Sequence, residues 1–327
     1  MNWQITPYNE SLEIEWNSVV DQSRQGTFLF NRAYMDYHAD RFRDESLVVT
    51  DDKGRTFALF PACRMPGKES AVSSHAGLTY GGMLTLSQVS AEAMLEMFQS
   101  ITHYYAMQGF TTLHYKPMPY IYHQYPSEED LYVLFRLGAQ LESRAISSVI
   151  DLLAPYPFSE LRRRKVRKAE KTSSLLYVEG TDHLESFWHV LDSVLTTRHN
   201  VHPVHTLDEI RLLISRFPEN IKLCTACMAD HPEHVIAGCL LFITKSVCHV
   251  QYIASGDVGR NCGALDWLFA RVIGEIRKAH PQIRYFDFGI STERGGTFLN
   301  QGLIFQKEGF GGRGVCYDSY QIPLSKN

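Results

Sequence analysis

The chain has 327 residues, of which 44% are hydrophobic and 21% charged, with a formal net charge of -4. That length exceeds what one hydrophobic core normally supports and predicts two domains of about 150 residues. The charge excludes a whole-molecule polycation that binds nucleic acid while leaving room for a local basic patch.

No apolar run reaches the roughly 18 residues of a membrane span. The opening MNWQITPYNESLEIEW has neither the basic nor the apolar part of a secretion signal, which predicts a cytoplasmic protein. The seven cysteines are scattered through apolar runs and read as reduced, mostly buried thiols. Cys224 and Cys227 form a C-x-x-C, but alternation in IKLCTACMA predicts a strand, which would turn the two thiols to opposite faces and leave no metal or redox pair.

In chain order, the first half opens with a short strand and two helical stretches, the second being NRAYMDYHADRF. ESLVVTDDKGRTFALFPACRM reads as a hairpin about its D-D-K-G turn. HAGLTYGGML is expected to be a Gly-broken strand, SAEAMLEMFQSITHYYAMQG an amphipathic helix stopped at Gly109, and FTTLHYKPMP a strand stopped by prolines. A helix, SEEDLYVLFRLG, and a long strand, AQLESRAISSVIDLL, follow. The second half repeats the order: a hairpin in NIKLCTACMADHPEHVIAGCLLFI, the strand SVCHVQYIASG, the helix GALDWLFARVIGEIRKAH, the strand IRYFDFGIS, then a short helix or turn and the strand GVCYDSYQI. This repetition predicts an internal duplication of an α+β unit, each copy a mixed, mostly antiparallel sheet flanked by helices. The boundary is expected at the linker DLLAPYPFSEL, giving domains 1–153 and 154–327.

Several pieces carry chemistry. In YIASGDVGRNCGALDWL an apolar strand enters a Gly-containing turn and then a helix, whose unpaired N–H groups and dipole suit a phosphate. Arg260 would add a charge-assisted contact, or Gly259 and Gly263 merely shape a connection. SELRRRKVRKAEKTSS concentrates Arg162, Arg163, Arg164, Lys165, Arg167, Lys168 and Lys171 on one helix, with Leu161, Val166 and Ala169 expected to face the core. Its charges make either a solvated face or a binding surface for an anionic ligand.

His199, His202 and His205 are spaced three apart before a helix that Thr206 and Glu209 would cap as T-x-x-E. Pro203 breaks the helical alignment that zinc would need, so no metal is expected. A substrate-facing loop and simple hydrogen-bonded loop histidines both remain open. Asp287 closes a strand and Glu293 follows in a Gly-rich turn, where a carboxylate could orient an amine or act as base. The D-F-G at Asp287 lacks the companion motifs of a kinase.

Together, LRRRKVRKAEK, YIASGDVGRNCGALDWL and FDFGIS with GLIFQKEGFGG resemble the FemAB-like branch of the GNAT acyltransferase superfamily. The resemblance implies two tandem GNAT-like domains. An acyl donor, either acyl-CoA or aminoacyl-tRNA, would be held in the second by Ile253, Ala254, Ser255, Arg260, Asn261, Gly263 and Ala264. The amine acceptor, in Fem-type enzymes a cell-wall precursor, would lie between the domains near His199, His202, His205 and Tyr252, and no covalently bound cofactor is expected. The turn departs from the family's pyrophosphate pattern at Leu265, where a small residue is usual, and the coiled-coil arm of some members is absent.

By the same resemblance Arg162, Arg163, Arg167 and Lys168 would contact tRNA, and Lys307 would lie near the acyl carbonyl, with Glu293 and Asp287 as further catalytic candidates. A fixed cation in a dry cleft stabilises the oxyanion formed when an amine attacks a thioester or ester. A duplicated scaffold that binds a ligand or partner without catalysis is the other reading.

Overall fold

In the computed structural model, which describes residues 2–325 but not the side chain of His199, the chain divides into two units. The first comprises the chain up to Ile146, the segment Thr292–Phe298 and the tail from Cys316; the second comprises Ser147–Ser291 and Leu299–Val315. The division therefore falls at 146/147 and not at the proline linker after residue 153. The strand that carries it, Gln140–Asp151, runs unbroken through that point. Two later segments also return to the first unit, so neither half is a continuous piece of chain.

The first unit contains β1 (Gln4–Pro7), α1 (Glu13–Gln22), α2 (Arg32–Met35), β2 (Leu47–Thr50), β3 (Thr56–Phe60), β4 (Cys63–Arg64), β5 (Ala71–Ser73), β6 (Leu84–Thr85), α3 (Ala91–Met107), β7 (Thr112–Tyr115), α4 (Glu129–Arg136) and the start of β8 (Gln140–Asp151). β1, β2, β3 and β6 form an antiparallel sheet around the expected hairpin. β5 and β7 pair in parallel on either side of α3 in the chain. Ser90 caps α3 by accepting the Ala93 N–H at 3.2 Å. Met94, Met97, Phe98, Ile101 and Tyr105 then form one buried face of α3, in a core with Val49, Phe60, Leu113 and Tyr115.

The strand expected over HAGLTYGGML does not form: only Leu84–Thr85 is paired. His75 sits at φ 71, and a Cβ on Gly81 would lie 1.7 Å from the Ser74 carbonyl oxygen. The segment is instead an irregular loop bonded to the end of β7, through Gly81 N–H to Lys116 O at 3.1 Å and Met83 N–H to Tyr115 Oη at 3.0 Å.

The second unit continues with α5 (Glu160–Thr172), β9 (Leu175–Glu179), α6 (Leu184–His199), α7 (Leu207–Arg216), β10 (Ile221–Met228), β11 (His231–Ile243), β12 (Val247–Ser255), α8 (Asp257–Cys262), α9 (Ala264–Ala279) and β13 (Tyr285–Ile290). After β14 (Thr292–Glu293) and β15 (Phe298–Leu299) come α10 (Gln301–Gly309) and β16 (Arg313–Pro323), whose far end pairs antiparallel with β7 through Tyr320 and Tyr115. The order β8-β13-β12-β11-β10-β9 is antiparallel except for the parallel pair β12–β13, which flanks α9 as β5–β7 flanks α3. Both units are therefore α+β, with the same parallel strand–helix–strand step.

The second core lies under α9, where Trp267, Leu268, Phe269, Val272 and Ile276 cluster with Cys224, Ala226, Cys239, Leu241, Cys248, Val250, Phe286 and Phe288. Cys224 belongs to this core, whereas the Cys227 Sγ lies 3.6 Å from His183 Nδ1, consistent with opposite faces. On α5 the register differs from the expected one. Leu161 is 39% exposed while Arg162 is buried on the same face as Ala169. The Arg162 Nη1 donates to both oxygens of buried Asp266, at 2.7 and 2.9 Å, which is what allows a cation at a core position. No helix among the described residues is long and apolar enough to cross a membrane.

Candidate functional site

The parallel ladder between β12 and β13 has only three rungs, ending at His249 opposite Asp287, although β12 runs on to Ser255 and β13 to Ile290. Both strands are irregular just beyond that rung. Across β11, Tyr252 faces Leu240 and Val250 faces Leu241, which leaves Gln251 as an extra residue. On β13 the pairing with β8 jumps from Asp287↔Val149 to Ile290↔Ser147, and Gly289 takes φ 77, a left-handed conformation that glycine adopts without Cβ strain. The strands thus part at one level, and the polar groups freed there need partners.

Asp287, with no exposed surface, supplies one set. Its Oδ1 accepts the Ser147 hydroxyl and, at 2.9 Å, the Gly289 N–H, while Oδ2 accepts the His249 Nδ1–H at 2.9 Å. A carboxylate on Nδ1 fixes the imidazole tautomer and leaves Nε2 as the lone-pair nitrogen. Lys307 supplies the other set, since its Nζ donates to the Gly289 and Ile290 carbonyls, each at 2.7 Å. Burial pushes its pKa down to about 8 against the pull of Asp287. Lys307, expected from the resemblance near an acyl carbonyl, here holds the loosened end of β13.

Further along, a cavity of about 560 Å³ is bounded by Ile253, Ala254 and Ser255 at the end of β12, by Arg260, Asn261 and Gly263 between α8 and α9, and by Arg162, Lys165 and Lys168 of α5. Arg198 of α6 and Gly302, Leu303 and Gln306 of α10 complete it. All the expected donor residues line this cavity except Ala264, which is fully buried. The connection is tighter than a simple turn: six residues coil as α8, and Arg260 is drawn back onto the Ser255 carbonyl and the Asp257 carboxylate. Five cations on the lining oppose the one carboxylate of Asp266, which stands in the first turn of α9. The surplus positive charge and the helix N-terminus suit a polyanion.

The remaining candidates are dispersed. The capping box at Thr206 and Glu209 forms as expected. His205 is buried and bonds Tyr252 Oη through Nδ1 at 2.6 Å, and burial raises the Tyr252 hydroxyl to about 12. His202 is exposed and bonds Asp192 at 2.7 Å, while the side chain of His199 lies outside the described residues. Glu293 falls in the first unit, exposed on β14, whereas Asp287 and Lys307 are in the second. Of the basic helix, Arg163 and Arg167 are exposed and tied to Glu160, Lys168 is exposed, and Arg162 is buried. The sequence reading missed His249 and Ser147. The only signal for either was a histidine one strand away from the D-F-G aspartate.

The parting parallel strands, the turn into a helix N-terminus and the basic cavity beside it define the GNAT class of acyltransferase fold, and residues 160–295 match the family model described as acetyltransferase (GNAT) domain. More particularly, the chain is similar to the crystal structure of FemX, at 11% identity and a TM-score of 0.70, covering 99% of this chain and 98% of that one. It is also similar to the C-terminal domain of a putative lysylphosphatidylglycerol synthetase from Agrobacterium fabrum (14% identity, TM-score 0.62, 98% and 92% covered) and to a tandem GNAT protein from the clavulanic acid biosynthesis pathway (10%, 0.53, 100% and 100%). No curated protein sequence matches it. The family model thus supports the GNAT part of the resemblance over residues 160–295, and the whole-chain likeness to FemX is one of fold.

Proposed function

We propose that the second unit transfers an acyl group from acyl-CoA or an aminoacyl-tRNA to an amine, the acceptor class being a cell-wall or surface-polymer precursor. One observation carries this reading: the His249–Asp287 pair stands at the rung where the strands part, and the end of the same strand lines the basic cavity. The donor's phosphates would take the cavity, with its acyl end reaching into the gap. The amine nitrogen would attack the acyl carbon, forming a C–N bond as the C–S bond of a thioester or the C–O bond of an ester breaks. His249 Nε2 takes the amine proton, and the departing thiolate or alkoxide is protonated in turn. Lys307 orders the strand end and brings positive charge to this region. An aminoacyl-tRNA would find Arg163, Arg167 and Lys168 on the outer face of α5.

Asp266 favours a second reading, a scaffold that binds without catalysis, because its carboxylate already sits in the first turn of α9 where a pyrophosphate would compete. Thermal unfolding with acetyl-CoA, longer acyl-CoAs and an aminoacyl-tRNA mimic separates the outcomes. A donor must raise Tm, since it binds only the folded state. His249→Gln should keep that shift and abolish transfer to amines. No shift with any donor refutes the transferase reading, and a shift without transfer by the unaltered protein supports the scaffold.

A further inference from the structure

We propose that His231, Glu233 and His234 form a surface site for a divalent transition-metal ion of the zinc class. The three lie where β10 turns into β11. There Met228 faces His231, but the next rung is Cys227 opposite Val235, so Pro232, Glu233 and His234 bulge out of β11 with no partners across the ladder. In a regular strand His231 and Glu233 would share one face and His234 would point to the other. The bulge cancels that alternation, and Pro232, lacking an N–H, cannot return the segment to the ladder.

The result is a convergence of donors. The Nδ1 atoms of His231 and His234 lie 3.6 and 3.1 Å from the same Glu233 oxygen, and one ligand atom from each residue falls within 4.8 Å of the others. Tetrahedral zinc, with bonds of about 2.0–2.1 Å, holds its ligands about 3.3 Å apart. Closing the cluster therefore needs ligand-atom movements of at most about 1.5 Å, made by side-chain rotation. All three side chains are exposed, so these rotations displace only water. Two imidazoles and one carboxylate are a borderline-soft donor set that selects zinc, copper or nickel over magnesium or calcium, with water filling the remaining positions. The sequence reading expected no metal and passed over H-P-E-H, because no regular strand or helix brings these three residues together.

The test is a titration of the whole protein with cobalt(II), read by visible absorbance, together with calorimetry using zinc(II). One equivalent should bind with a ligand-field spectrum of low coordination number. The double variant His231→Ala/His234→Ala, and Glu233→Gln separately, should each bind at least about tenfold more weakly. Both leave the core untouched, and the unfolding midpoint measured with chelator should be unchanged. Absence of saturable binding, or equal binding by the variants, overturns the proposal.

Discussion

Replacing Lys307 with methionine tests whether its ammonium organises the end of β13. Two effects oppose each other. Keeping the amine charged while burial pulls its pKa from 10.5 to about 8 costs about 3 kcal/mol relative to the unfolded chain. Methionine removes that cost and keeps most of the volume. It also strips the Gly289 and Ile290 carbonyls of their donors, at about 1–3 kcal/mol each. The net change in denaturant unfolding should lie between about 1 kcal/mol of gain and about 3 kcal/mol of loss. Amide exchange at Ile290 and Ser291 should nevertheless quicken by about tenfold or more, because the local bonds are gone. The pH profile adds a second arm. Between pH 8 and 10.5 the folded state has shed the lysine proton and the unfolded state has not, so stability rises with pH across that window; below pH 8 both states carry the charge and the contribution is flat. Wild type minus Lys307→Met should show this rise. A loss above about 4 kcal/mol, unchanged local exchange, or no difference in slope would each refute the argument.

Arg162→Ala leaves the Asp266 carboxylate buried without its main partner, and should destabilise by about 3–5 kcal/mol in urea unfolding, whereas Arg162→Met with Asp266→Leu should lose far less. Burial lowers His123 to about 4, its Nε2 donating to the Met118 carbonyl, and lowers His75 well below its usual value. The folded state therefore resists protons that the unfolded chain accepts, and stability present above pH 6.5 should fall as pH drops toward 4. His123 alone accounts for about 3 kcal/mol of this, and His123→Gln should flatten the decline by that amount.

Elements with a local signature were legible in the sequence. Helix α3 carries its cap at Ser90 and its stop at Gly109, α7 its capping box, and the β2–β3 hairpin its D-D-K-G turn, so each reads from a short run of neighbouring residues. What failed depends on contacts distant in sequence. Arg162 looked like one more solvated charge until Asp266, 104 residues on, made its burial affordable. His249 gains meaning only through Asp287 across the sheet, and HAGLTYGGML alternates like a strand but is claimed by bonds to the end of β7. The duplication was visible as a repeated order of elements, yet the unit boundaries were not, because pairing decides them and composition does not.

The pairing of β16 with β7 has a consequence for synthesis. Tyr115 leaves the ribosome roughly 200 residues before its rung partner Tyr320. At about 5–20 residues per second that delay is about 10–40 s, during which the parallel pair β5–β7 has an uncovered edge. The second unit, interrupted only at 292–298, can close first. The N-terminal unit is therefore the last to be completed, and through that interval the bare edge of β7 is open to wrong pairing and to capture by a chaperone.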